Sequence, residues 1–413
     1  MRYLIAIFCL LSFGVYNIQA QGSSIVEALS EQGYENVASI NADNDLYITY
    51  ENNLYRFEAK GLANIVSSLE EFDYQGYKHI HLLLRSQDIP MAKVSVLTSD
   101  LKAYLSGIID RYALASRMNF TIDVDDTEKL FKEAERQNIS YYKIDIPIGL
   151  KLDYLLGDFN DGFQSRTYVN SRMLSTFGRG IEFEFDFRNI VQNDIPGRAI
   201  SSPTTLKLTQ SFRMDENRFL SASLGYLPQG KFGLYTRFRN YLVQERFYVE
   251  LFYGVTRSGF LDENWVIENN RNSDAFWQAI FNYRWNKYDT DINLAYGTFY
   301  SADLGYKFQV QRQFNEVYFS LFYSRTDIES AGSFGFTEPN LIGFSLTVPF
   351  GQSKYMKPGR IRARTEDQFY LLYRYSGFSY SGIDILMGQD IFSDIREFYP
   401  EVLRKGLIKH LNN

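Results

Sequence analysis

The chain has 413 residues, with 43 Lys and Arg against 49 Asp and Glu, a net charge of −6, and 17% aromatic residues made up chiefly of 34 Phe and 32 Tyr. That acidic balance gives no footing for nucleic-acid binding, and a mean hydropathy of −0.28 is far too polar for a helical membrane protein. The one cysteine, Cys9, lies in the N-terminal apolar run, so the mature chain is expected to hold no disulfide, no thiol nucleophile and no Cys-based metal site.

That run reads as an export signal over residues 1–20. Met1-Arg2-Tyr3 is a short positive start, residues 4–15 are apolar, and Ala20 precedes Gln21 as a small residue at a cleavage point. The run is too short to span a bilayer comfortably.

Residues 21–142 read as a small α+β domain, expected in the periplasm. Apolar spacing predicts helices over 24–32, 63–72, 100–109 and 126–138. Short strands are predicted over 37–40, 46–50, 54–58, 79–84 and 93–97. Asn41-Ala42-Asp43-Asn44-Asp45 lacks the central Gly and distal Glu of a calcium loop and reads as a turn. His79 and His81 share a strand face, half of a metal site at most. With no Cys or carboxylate cluster at ligand spacing beside them, the reading is an exposed strand face and no metal.

From Asp145 the apolar period becomes two. Ile181-Glu182-Phe183-Glu184-Phe185-Asp186-Phe187-Arg188 alternates apolar and charged residues without a break, so the two sets stand on opposite faces of a strand. The pattern recurs at 146–154, 163–175, 180–190, 204–214, 218–228, 231–242, 246–257, 275–286, 290–299, 303–314, 316–326, 341–350 and 368–376, with a weaker stretch at 379–387. The expected fold is therefore mainly β: an outer-membrane antiparallel β-barrel of about 12–14 strands over residues 143–387. Residues 259–273 and 327–340 are expected to be long loops. The tail, 388–413, is expected to be partly helical, with Val402, Leu403, Leu407 and Ile408 on one face.

The polar face of these strands supplies the candidate binding residues. They are Glu182, Glu184, Asp186, Arg188, Tyr235, Arg237, Arg239, Tyr241, Tyr248, Glu250, Arg284, Lys307, Arg325 and Arg374. Two readings stay open. These side chains could fill a narrow barrel with mutually satisfied ion pairs. They could also form a path for a sugar polymer, with Tyr faces stacking on rings and Arg pairing with acidic sugars. The three histidines, His79, His81 and His410, all fall outside the predicted barrel. A hydrolase or acyltransferase site in the barrel would want a histidine base, so no catalytic residue, cofactor or enzymatic activity is expected.

Several segments resemble the YjbH-like, GfcD-type outer-membrane proteins of group 4 capsule and exopolysaccharide systems. They are Gly297-Thr298-Phe299-Tyr300-Ser301-Ala302-Asp303-Leu304-Gly305-Tyr306 with the strand to Phe314, Gly332-Ser333-Phe334-Gly335-Phe336 with the strand from Ile342 to Phe350, and the basic run Arg360-Ile361-Arg362-Ala363-Arg364. In the N-terminal domain, 25–37, 46–52, Tyr55-Arg56-Phe57 and 90–96 are similar to the small α+β domain of that family. This chain differs in carrying one barrel-like unit where the family carries two. The resemblance implies a non-enzymatic role in exopolysaccharide or capsule export or assembly at the bacterial outer membrane. The partners it implies are outer-membrane lipid, a polysaccharide, and periplasmic or lipoprotein components of an export system. The competing class is a closed structural or adaptor barrel of another secretion machine. A lipid-modifying barrel enzyme is disfavoured by the missing histidine.

Overall fold

The computed structural model describes residues 25–411, except positions 73, 75, 229, 244, 245 and 358 and segments 157–162, 196–200, 262–266, 300–303, 328–339 and 375–394. The expected export signal and the weak strand at 379–387 lie outside the described residues. The architecture is mainly β, with a small α/β unit at the N-terminal side and one large sheet.

The α/β unit runs α1 (Ile25–Gln32), β1 (Glu35–Ala42), β2 (Asp45–Glu51), α2 (Glu58–Ser68), β3 (His79–Ser86), β4 (Ile89–Leu97), α3 (Thr98–Leu105), α4 (Arg111–Arg117), β5 (Asn119–Thr121) and α5 (Asp125–Leu130). Its five-stranded sheet keeps chain order. Only β2 and β3 pair in parallel, because α2 carries the chain back between them. The strand expected at 54–58 does not form. Asn52 Oδ1 accepts the N–H groups of Leu54 at 3.2 Å and Tyr55 at 3.0 Å, a side-chain-closed turn, and α2 begins directly at Glu58. The helix expected to Ile109 ends at Leu105, ahead of Gly107 with its φ of +74°. The helix expected to Asn138 is likewise short, since Val37 draws Gln137 into a β-bridge.

The large sheet holds fourteen strands: β6 (Ile144–Leu156), β7 (Phe163–Gly178), β8 (Ile181–Asn193), β9 (Ser202–Arg213), β10 (Arg218–Leu227), β11 (Lys231–Val243), β12 (Phe247–Leu261), β13 (Ile267–Trp285), β14 (Thr290–Thr298), β15 (Leu304–Phe314), β16 (Val317–Thr326), β17 (Asn340–Pro349), β18 (Ile361–Thr365) and β19 (Gln368–Arg374). From β6 to β17 each strand pairs antiparallel with the next, and β19 pairs with β17. The short, charged β18 was not anticipated. It pairs in parallel with β6, at the opposite edge of the sheet from β19. Only Glu366 and Asp367 separate β18 from β19, so the chain ties the two edges together. Glu366 N–H donates to Ile148 O of β6 at 2.9 Å, and Phe350 N–H donates to Asp367 O at 2.8 Å. β6 and β19 approach within 8 Å, with no ladder between them among the described residues.

Two facing glycine pairs help the sheet coil. Gly225 opposes Gly233, and Gly297 opposes Gly305. A Cβ on Gly225 would lie 2.1 Å from Leu206 O, so the strands approach there more closely than a side chain permits. The loop expected at 259–273 is largely strand, with Leu261 already paired to Ile267. Its polar sequence carries no apolar period, so the ladder leaves no mark there.

The tail forms a 3-10 turn over Ile395–Phe398 and then α6 (Pro400–His410). Leu403 and Leu407 are fully buried on the face expected for the helix. α6 lies so close to α2 that a Cβ on Gly406 would sit 2.4 Å from that of Ala59. One apolar core therefore includes Leu62, Ile65 and Leu82 of the α/β unit, Phe398, Leu403 and Leu411 of the tail, and Phe219 and Tyr241 of the large sheet.

Candidate functional site: the polar interior of the sheet

The large sheet reverses the usual placement of polar and apolar groups. Along β8, Glu182, Glu184 and Asp186 are buried, while Ile181, Phe183, Phe185 and Phe187 stand on the other, partly exposed face. Elsewhere Leu224 is 62% exposed, Leu321 55% and Leu251 51%, whereas Ser221, Ser223, Thr209 and Ser320 are buried. A sheet folded around an oily core would do the opposite.

The buried charges are paired in place. Glu184 Oε2 lies 3.1 Å from Lys207 Nζ, and that ammonium donates to the Tyr235 hydroxyl at 3.2 Å. Arg172 Nε sits 3.4 Å from Glu184 and 2.9 Å from Asp186. On β11 and β12, Glu250 is clamped by Arg237 at 2.9 Å and Arg239 at 2.7 Å. Arg239 also covers the Tyr248 ring at 4.3 Å and donates to the Tyr241 hydroxyl, which hydrogen-bonds Tyr399 of the tail at 2.8 Å. Arg284 holds Asp291 at 3.1 Å, and Arg396 of the tail reaches the same carboxylate at 2.9 Å. Arg188 lies over Tyr168 at 4.3 Å, and Lys307 over Phe322 at 4.8 Å. Arg172, Lys207, Arg237, Arg239 and Arg284 each face a carboxylate, and an isolated buried charge would cost several kcal/mol.

The candidate residues thus gather on the interior face, with one correction. Arg325 faces outward. Ser324 and Thr326 are buried on either side of it, and strand alternation puts Arg325 on the face of Leu321 and Tyr323. Tyr318 and Arg325 have opposite parity and cannot both point inward on one regular strand. Arg374 ends β19 opposite Gly343, and its side chain lies outside those described.

Sequence reasoning missed half of several pairs. Asp145 takes Arg362 at 2.7 Å and Arg364 at 2.6 Å, and Lys151 takes Glu366 at 2.7 Å. The basic run 360–364 was visible, but its partner lies about 220 residues earlier and is met only where the sheet edges come together.

A cavity of ≈ 570 Å³ remains inside. Side chains of β6, β7 and every strand from β11 to β19 line it, among them Arg172, Tyr248, Tyr318, Tyr370 and Arg364. Arg396, Glu397 and Tyr399 of the tail form part of its wall.

The short-turn end of the sheet is covered by the α/β unit and the tail. The Arg213 guanidinium at the end of β9 donates to the carbonyls of Pro90 at 2.7 Å, Met91 at 3.2 Å and Ile122. In the β7–β8 turn, Gly180 N–H donates to Gln87 O at 2.8 Å, and the Gln87 amide donates to Glu182 at 2.9 Å. Arg56 donates to the carbonyls of Phe350 and Gln352 after β17. Lys405 and Lys409 of α6 pair with Asp289 at 2.7 Å and Glu316 at 3.1 Å, in the β13–β14 and β15–β16 turns.

Behind Gln87 lies Glu51, which accepts the N–H groups of Gln87 at 2.7 Å and Asp88 at 3.1 Å. Burial, with Glu35 and Asp88 close by, pushes its carboxyl up to about 7.

Compared with known proteins, the chain matches no family model and no curated sequence.

Proposed function

We propose that this chain is an outer-membrane β-barrel, stoppered on its short-turn side by its own N-terminal domain and tail, that serves the export or assembly of an exopolysaccharide or capsule without doing chemistry itself. The reversed polarity of the large sheet carries the membrane reading. Leucine, phenylalanine, tyrosine and tryptophan side chains left facing outward on every long strand suit hydrocarbon, and the buried ion pairs suit an enclosed interior. The link through Glu366 and Asp367 supports closure, since sheet edges in lipid would leave backbone groups unsatisfied.

The ion pairs and the covered end favour a barrel that is closed at rest, with the N-terminal domain presented to periplasmic or lipoprotein partners. The polysaccharide role rests on the family resemblance. A conduit reading is favoured by one observation, the residual cavity with Tyr248, Tyr318 and Tyr370 beside Arg172 and Arg364. Its size is that of a small-molecule pocket and suits a sugar unit.

Two measurements test this. Cysteine introduced at Phe185 should be shielded from a water-soluble maleimide in outer-membrane fractions, and labelled by a lipid-soluble one. Deleting the gene should lower extracellular polysaccharide while outer-membrane integrity persists. A water-accessible position 185 would remove the membrane reading, and normal polymer secretion would remove the export reading.

A further inference from the structure

Asp45 opens β2, and His79 and His81 lie on β3, the strand that pairs with β2 in parallel. Tyr47 is in register with His81, so Asp45 falls beside His79 on the same face of the sheet. His79 Nδ1 lies 2.9 Å from Asp45 Oδ1, and His81 Nε2 lies 3.3 Å from Asp45 Oδ2. One ligand atom from each of the three residues lies within 4.8 Å of the others. Zinc–ligand bonds of 2.0–2.1 Å place the corners of a tetrahedron about 3.3 Å apart, so only small shifts would bring three of those corners into place.

The surroundings also orient the ligands. His81 Nδ1 is engaged by Ser95 Oγ at 2.7 Å, which leaves Nε2 as the nitrogen turned toward Asp45. The His81 ring is further fixed by stacking on Tyr47 at 4.5 Å. The Asp45 carboxylate is held by the backbone N–H of His79 at 2.9 Å. A hydrogen bond to the far nitrogen and a held carboxylate are the supports that metal-binding histidines and carboxylates commonly have. Side-chain exposures of 31%, 16% and 17% for His79, His81 and Asp45 leave the group reachable from solvent.

We propose that Asp45, His79 and His81 form a binding site for a first-row transition ion of the zinc class, with the fourth position open to water or to a ligand from a partner. Such an ion would pin β2 to β3 on the face of the N-terminal domain. The site is independent of the barrel reading.

The chain has three histidines and one cysteine, so few other imidazole or thiolate donors compete. Full-length protein, stripped with chelator and dialysed, should take up about one equivalent of Co²⁺ with a visible d–d band, and Zn²⁺ should displace it. X-ray absorption of the zinc-loaded wild type should show N/O ligands at about 2.0–2.1 Å with imidazole scattering, a readout that needs no variant. His79→Gln and His81→Gln should each lose the band, His410→Gln should keep it, and Ser95→Ala should weaken affinity about 10-fold or more. A wild type with no cobalt band and no imidazole scattering would overturn the proposal and leave a histidine–aspartate hydrogen-bonded group. A band unchanged in both β3 variants would overturn it equally.

Discussion

Single residues report the polarity reversal most directly. Leu251 is half exposed, in mid-strand, with Glu250 buried beside it. On a soluble surface Leu251→Arg would be nearly neutral. In a bilayer midplane it should cost about 2–4 kcal/mol, read as a lowered urea midpoint for protein folded into vesicles. Glu250→Ala acts on the other face, stranding Arg237 and Arg239 around an empty site. Breaking a buried pair in this way should cost about 3–5 kcal/mol, seen as loss of the heat-modifiable form on gels. Equal, small effects of the two substitutions would contradict both assignments. Alternation made these faces legible in the sequence, since one strand with a period of two sorts its own residues. Among the candidates whose side chains are described, it went wrong where parity was not kept, at Arg325.

Glu51 gives a residue-scale prediction for the covered end. Its folded pKa is about 7 against 4.5 for the ordinary group. Between those values the folded chain keeps a proton that the unfolded chain has lost. Its contribution is therefore complete below about pH 4.5 and is lost as pH rises through about 7. Burial shifts Glu35 in the same direction, while His81 and His410 are lowered and act in the opposite one. The difference between wild type and Glu51→Gln isolates the one group. Denaturant unfolding should give similar stabilities near pH 4.5 and a wild type weaker by about 3 kcal/mol near pH 8. Parallel stability curves would show that Glu51 does not titrate in this window.

At the scale of elements, what was legible depended on how far apart the interacting residues lie in the chain. The thirteen long strands and the apolar face of α6 announce themselves through local periodicity. β18 does not, because it is short, charged and stabilised by Asp145 on a strand some two hundred residues away. The facing glycines Gly225 and Gly233 were equally silent, since only pairing reveals that they meet. The tail shows the consequence. Its helix could be read, but its place in the N-terminal core could not. Gly406→Leu would force a side chain into Ala59 across the α2–α6 contact, an overpacking cost of about 1–3 kcal/mol. Leu403→Ala and Leu407→Ala should each remove about 2–5 kcal/mol. A fragment of residues 21–142 lacks Phe398, Leu403, Leu407 and Leu411, and should melt lower than the same fragment supplied with a 395–411 peptide. If the peptide left the melting temperature unchanged, the shared core would not be what holds the domain.

For the whole molecule, the contacts at the short-turn end bear on whether the proposed barrel is closed or offers an open path. The α/β unit and tail touch the β7–β8, β13–β14 and β15–β16 turns, the end of β9, and the segment after β17. A domain anchored around the rim in this way cannot swing aside by losing one contact. On the proposed barrel reading, single alanine substitutions at Arg56, Gln87 or Arg213 should therefore leave the short-turn end covered, because each removes hydrogen bonds on one side only. Arg56→Ala, Gln87→Ala and Arg213→Ala together remove anchors on three sides. Full-length protein in planar bilayers should show few, brief openings, as should each single variant. The triple variant should open often while keeping a wild-type share of heat-modifiable protein, which separates loosening from unfolding. Steady conductance in the wild type would mean that the covered end leaks and would favour the conduit. A silent triple variant that is well folded would place the barrier deeper, in the Arg237–Glu250–Arg239 and Arg172–Glu184–Lys207 clusters of the interior.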